Sequence, residues 1–174
     1  KEDLRLHSDR YQEWASGWKV QGEEVDLPGT FTAEEGGRVV LTNTIPSIYP
    51  GSETVLLYGY QTSLHIYVDG EPREVLDTAD TRPFGLTTPE AFLLVELKAE
   101  DVGKEIEIVV AGRPDAKKLN VRDILIGEAD GIIFYLIERY LPNLLIECVV
   151  MCIGILITLI ALILVLITRE SATL

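Results

Sequence analysis

Ser63-Leu-His-Ile-Tyr-Val-Asp-Gly-Glu-Pro-Arg-Glu-Val-Leu-Asp77 is the stretch on which the architecture of this chain turns. Side chains alternate across a strand with a period of two, so Leu64, Ile66 and Val68 share one face and His65 and Tyr67 the other. Asp69-Gly70 is a tight-turn pair, because both residue types accept the positive φ that a two-residue hairpin needs. Residues 71–77 then return as the antiparallel partner. Pro72 cannot donate to a ladder, which marks that partner as an edge or a strand start.

The same pattern extends outward on both sides. Residues 38–45 and 53–60 read as strands rich in β-branched and aromatic residues. Tyr58 and Tyr60 share a face if the second of these is regular, and Gly59 between them is a candidate bulge. Residues 78–90 form a loop containing Arg82-Pro-Phe-Gly. Strands follow at 92–98, 105–111 and 122–127, with a turn at 99–104. Toward the N-terminus, Leu27-Pro-Gly29 is a turn signal. Residues 12–20 read as an extended lead-in whose Trp14 and Trp18 rings cover a sheet edge. About seven or eight short strands without a long amphipathic helix between them predict an antiparallel sandwich. Parallel crossovers need a dozen residues or more, usually a helix. The fold class expected is therefore mainly β, an antiparallel jelly roll or β-sandwich over residues 1–128.

Beyond it the chemistry changes. Leu144 to Ile167 is a run of 24 residues whose only carboxylate is Glu147. As a helix it spans roughly 36 Å, enough for a hydrocarbon core of about 30 Å. Its second half is apolar all round, so it reads as one transmembrane helix over 144–167. Asp130 is a candidate N-cap for a juxtamembrane helix within 129–143. Pro142 is expected to kink or end that helix before the span. Phe134, Tyr135 and Tyr140 have the amphipathic rings favoured at membrane interfaces. Residues 168–174 form a short tail. With Lys1 at the start and so little after the span, the chain reads as trimmed at both ends.

Charge narrows the function. The chain carries 28 acidic and 15 basic residues, a formal net charge of −13, and all but three of these residues precede the apolar run. Such an acidic domain excludes nucleic acid as a partner and offers little to anionic headgroups. The large domain is expected on the extracytoplasmic side, with the chain in the cell membrane and in contact with lipid. Cys148 and Cys152 both lie in the apolar run, so disulfides do not hold the sandwich.

No catalytic pattern is visible. There are two histidines, His7 and His65, too few for a zinc site without acid ligands. Nucleophile-elbow, zinc-protease and phosphate-loop motifs are absent from the sequence. Asp77, Asp80, Glu96, Glu105 and Glu107 are candidate acid pairs only through abundance. Asp9, Glu34, Glu35, Asp69 and Asp101 lie in or near turns, but no calcium-loop pattern connects them. No metal, no cofactor and no enzymatic activity are expected of this segment. Aromatic residues are the better lead, since rings give flat apolar surface with polar tips. Tyr58, Tyr60 and Tyr67, read as lying in neighbouring strands, form with His65 and Arg82 the candidate ligand-binding set. The ligand class is a small molecule or a carbohydrate.

Trp18, Leu27-Pro28, the strand 38–45, Ser63-Leu-His-Ile-Tyr-Val-Asp-Gly-Glu71 and Leu125-Ile-Gly127 before a membrane helix occur in an order that resembles a known family. It is that of the extracellular jelly-roll sensor domains, galactose-binding-like and of the 7TMR-DISM type, of bacterial membrane signalling proteins. The resemblance covers about residues 14–167. It implies a sensory module that passes ligand binding through the membrane to a cytoplasmic output such as a diguanylate cyclase or histidine kinase, and a homodimer by analogy. No output domain and only one span are present in this sequence, and no ligand-contacting residue is carried over. A tethered carbohydrate-binding or adhesion module and a structural subunit of a membrane complex are the competing readings.

Overall fold

The structure is a computed structural model that describes residues 10–34, 36–47, 53–60, 62–77 and 90–171. Twelve strands occur among them. They are β1 (Tyr11–Glu13), β2 (Trp18–Val20), β3 (Glu23–Val25), β4 (Gly29–Thr32), β5 (Arg38–Thr44) and β6 (Glu53–Tyr60), followed by β7 (Ser63–Val68), β8 (Glu71–Leu76), β9 (Glu90–Leu97), β10 (Glu105–Ala111), β11 (Lys118–Val121) and β12 (Leu125–Gly127). A 3-10 turn (Ala99–Asp101) lies between β9 and β10, and one α-helix, α1 (Ala129–Ser171), ends the described chain.

Two antiparallel sheets form the sandwich. One has the order β1-β12-β6-β9 and the other β3-β2-β5-β10-β7-β8, with β4 and β11 paired as a separate ribbon. The chain repeatedly changes sheet: β6 pairs with β9 and β12, while β5 and β7 flank β10. This is a jelly-roll arrangement, as expected.

Period-two patterning builds the core. Val39 and Leu41 on β5, Leu64, Ile66 and Val68 on β7, and Ile106, Ile108 and Val110 on β10 are buried on one face of the larger sheet. Val55, Leu57, Val95, Leu97 and Ile126 answer from the smaller sheet, within the same apolar cluster. Burying each such side chain contributes about 1.5–3 kcal/mol. At the hairpin, Val68 pairs with Glu71 and the two intervening residues, Asp69 and Gly70, both have positive φ.

Several expectations are corrected. Trp14 and Trp18 do not cover an edge: both rings lie in the core, 4.7 Å apart, and the Trp18 Nε1 donates to the Trp14 carbonyl at 2.7 Å. That hydrogen bond satisfies the indole N–H and makes full burial tolerable. The N-terminal lead-in carries β1 and β2, which pair with β12 and β5. Gly59 is not a bulge, since β6 and β9 stay in register from Glu53↔Leu97 to Tyr60↔Glu90. Instead, a Cβ at Gly59 would press on the Thr62 carbonyl and the side chain of Leu76. The last strand, expected over 122–127, is confined to β12 at Leu125–Gly127, and β11 before it is a further strand that was not expected.

The molecule has two compact units, residues 1–132 and 133–174. In the first, the opening turn of α1 is held by Arg10, which pairs with Asp130 and lies 3.6 Å from Glu128. Asp130 is inside this turn, not at its cap, because the helix starts one residue earlier, at Ala129. Ile132 is fully buried. In the second unit α1 continues through Pro142, so the helix does not end there. Proline removes one backbone donor, a loss that helices in membranes tolerate. From Ile133 to Val165 no side chain is buried, so this helix is long and apolar enough to cross a membrane.

Candidate functional site

The sandwich unit carries a cleft of about 530 Å³. Small-ligand sites commonly fall within about 300–1,000 Å³. Tyr60 lines it from the end of β6, with Thr62 from the short link to β7. The rest of the lining comes from Gly112, Arg113 and Ala116 in the β10–β11 loop, Lys118, Leu119 and Asn120 on β11, and Arg122 just beyond it.

Local structure places these groups. On β11, Leu119 and Val121 turn into the core, which leaves Lys118 and Asn120 on the exposed side. The loop before β11 closes as a turn, with the Ala116 amide donating to the Arg113 carbonyl at 2.9 Å. Gly37 backs this loop. It has φ +71, and its own carbonyl accepts from the Gly112 amide at 2.9 Å. A Cβ at Gly37 would lie 2.0 Å from the Arg113 carbonyl oxygen, so only glycine fits.

The chemistry of the lining is distinctive. Three cations, Arg113, Lys118 and Arg122, line the cleft, and no acidic residue does so among the described residues. Arg113 also reaches Asp115 at 3.2 Å, an exposed pair open to exchange. The Arg122 guanidinium sits 5.4 Å from the ring centre of Tyr58, a cation–π distance. The Tyr58 ring in turn meets Phe92 edge-on at 5.1 Å. Tyr60 is 59% exposed, which leaves its ring available as a platform.

The residues singled out from sequence separate into groups. Tyr58 and Tyr60 lie on the same face of β6 in the smaller sheet, Tyr60 in the cleft and Tyr58 beneath Arg122. His65 and Tyr67 are on β7, which belongs to the other sheet, and they stand half-buried on its outer face. The reading of Tyr58, Tyr60 and Tyr67 as neighbouring-strand residues is thus corrected: consecutive strands here enter different sheets. Arg82 lies outside the described residues. Sequence reading missed Thr62, Arg113, Lys118, Asn120 and Arg122. The available signal was Arg113-Pro-Asp-Ala-Lys-Lys-Leu-Asn-Val-Arg122, a basic stretch in an acidic chain.

Asp101, a turn acid weighed for calcium, has a different role. It is fully buried and accepts from the Arg73 guanidinium at 2.8 and 2.9 Å, the Lys98 amide at 2.9 Å and the Lys104 ammonium at 3.3 Å. Burial alone would raise its pKa. The Lys98 amide, Lys104 and Arg73 outweigh that and hold the carboxyl below its ordinary value.

No protein-family model and no curated protein matches this chain. Among solved structures it is similar to an FMN-binding β-glucuronidase from Facaelibacterium prausnitzii L2-6, with 11% identity, a TM-score of 0.44, 67% of this chain covered and 22% of that one. It is also similar to the C-terminal CBM6 of a marine laminarinase from Zobellia galactanivorans, with 12% identity, a TM-score of 0.37 and coverages of 68% and 99%. A third is a family 29 carbohydrate-binding module from Piromyces equi, with 17% identity, a TM-score of 0.34 and coverages of 69% and 83%. The chain thus spans less than a quarter of the glucuronidase. The fold assignment rests on the strand order and register given above, not on these likenesses.

Proposed function

We propose that this chain is a membrane-anchored binding module whose sandwich takes a saccharide in the cleft between Tyr60 and β11, with α1 as its anchor. The observation that carries this reading is the cleft itself, whose lining combines an exposed tyrosine with Thr62, Asn120 and three cationic side chains. A ring platform with a few convergent polar groups suits a hydroxylated ring, which has apolar C–H faces and a polar rim. An extracytoplasmic position suits a domain of this acidity that carries no cysteine outside the apolar run. Titrating the full chain in lipid nanodiscs against a soluble saccharide panel tests the reading. Saturable binding is expected, weakened about tenfold by Tyr60→Ala as ring stacking is lost. Saturable binding that Tyr60→Ala leaves untouched would move the site elsewhere, and no binding to any saccharide would end the reading.

A sensory input role is the second reading, favoured by the junction at β12. Only Glu128 separates this strand from α1, and the Glu128 amide donates to the Arg10 carbonyl at 2.8 Å. A ligand-dependent shift of the smaller sheet would thus reach the first turn of the helix through one residue. Such signalling requires two states with different affinity for the ligand. Hydrogen exchange at residues 128–132, with and without ligand, is the measurement that tests it.

A further inference from the structure

We infer that the cleft selects acidic saccharides, those whose sugar ring carries a carboxylate, over neutral ones; this rests on the cleft being the saccharide site. The chain carries 28 acidic and 15 basic residues, a composition whose summed field repels an anion approaching at random. Yet three of the 15 basic residues line this one cleft, and among the described residues no acidic side chain lines it with them. A neutral sugar would be served by amides and hydroxyls, such as Asn120 and Thr62, and needs no cation. A carboxylate does need one, because in this chain the local cations must first offset the surrounding negative field.

Geometry sharpens the choice of anion. Guanidinium presents paired donors in a flat fork that matches a carboxylate, and bonds to an ionised group are about twice as strong as neutral ones. Arg122 is oriented by the face of Tyr58 at 5.4 Å, and Arg113 is fixed at its backbone by Gly37 and the turn to Ala116. Lys118 is exposed on β11 and adds a mobile point charge. Tyr60 supplies the platform for the ring. An anion alone would use the cations but not the tyrosine. A neutral sugar would use the tyrosine but leave the charge of the cations unanswered. A uronic acid uses both.

The test uses the full chain in zwitterionic nanodiscs and calorimetric titration. The probes are trigalacturonate, a glucuronic acid disaccharide, the methyl ester of each, and inorganic phosphate. Esterification keeps the ring and removes the charge. The acids should bind at least about tenfold more tightly than their esters, with the difference shrinking as salt is raised. Lys118→Gln and Arg113→Gln, both at exposed positions, should each weaken acid binding more than ester binding, so that the preference for acid over ester falls severalfold. Esters that bind as tightly as the acids, or neutral saccharides that bind where the acids do not, overturn the inference while the saccharide reading stands. Phosphate binding as tightly as either acid overturns it too, since the anion would then suffice. Acid binding insensitive to both substitutions places the charge recognition elsewhere and overturns it. Silence from every saccharide ends both.

Discussion

Asp101 shows how much one buried carboxylate can hold. Arg73 comes from β8, Lys98 directly follows β9 and Lys104 directly precedes β10, so a single side chain ties β8 to the β9–β10 turn. Asp101 is buried while Arg73 and Lys104 keep partial access to solvent, so removing its charge is expected to cost about 1–3 kcal/mol. Asp101→Asn is expected to lower the urea midpoint accordingly. The pH dependence follows from the lowered pKa. In the window between the folded value and the ordinary carboxylate value, the unfolded chain binds more protons, so stability rises with pH. The contribution is complete above the unfolded pKa, near pH 4, and is lost as pH falls through the folded one. Urea titrations of the sandwich unit between about pH 5 and pH 2 should show a slope that Asp101→Asn flattens. An unchanged slope would mean that other carboxylates dominate acid unfolding.

At the scale of elements, the strands and their periodicity were legible because a half-buried strand writes its face into alternate positions. β7, β8 and β10 needed only Leu64, Ile66 and Val68, the Asp69-Gly70 turn, and Ile106, Ile108 and Val110 to be found. The short strands β1 to β4 were not legible: three or four residues are too few to display a period, and β1, β2 and β4 gain their definition from partners far along the chain, such as Thr42 for Lys19. The cleft was hidden for a related reason. Tyr60, Arg113 and Arg122 converge only once the strands have been sorted between two sheets, and nothing in the spacing announces which sheet a strand will join. Tyr60 could be proposed from its ring; the cations that line the cleft with it could not. Gly37 makes the dependence of the site on distant elements testable. Gly37→Ala forces a side chain into the Arg113 carbonyl at a positive φ, with an expected cost of about 1–3 kcal/mol. Because that strain falls on the β10–β11 loop, saccharide binding should weaken as well, even though Gly37 is not among the residues lining the cleft. Thermal melts and titrations on the same sample report the two effects separately, and a destabilised variant that binds normally would detach the loop from the site.

For the whole molecule, the decisive question is whether occupancy of the cleft is felt at the helix. The sandwich unit ends in the first turn of α1, where Arg10, Glu128, Asp130 and the buried Ile132 meet. If the chain is a sensor, ligand should change exchange protection at residues 128–132 by a measurable factor, and Arg10→Ala should abolish that change while binding persists. If protection changes at the cleft alone, the chain is a tether and its task ends with capture. The position of β12 in its sheet has a consequence under either outcome. This strand is interior, with Tyr11–Glu13 paired on one side and residues 54–56 on the other. A captured polymer dragged by flow would pull the sandwich against its own anchor, and that tension would enter the fold through β12. Because β12 is clamped on both flanks, it cannot unzip from an exposed margin one rung at a time. Two ladders would have to fail together, which makes the attachment point resistant to mechanical load.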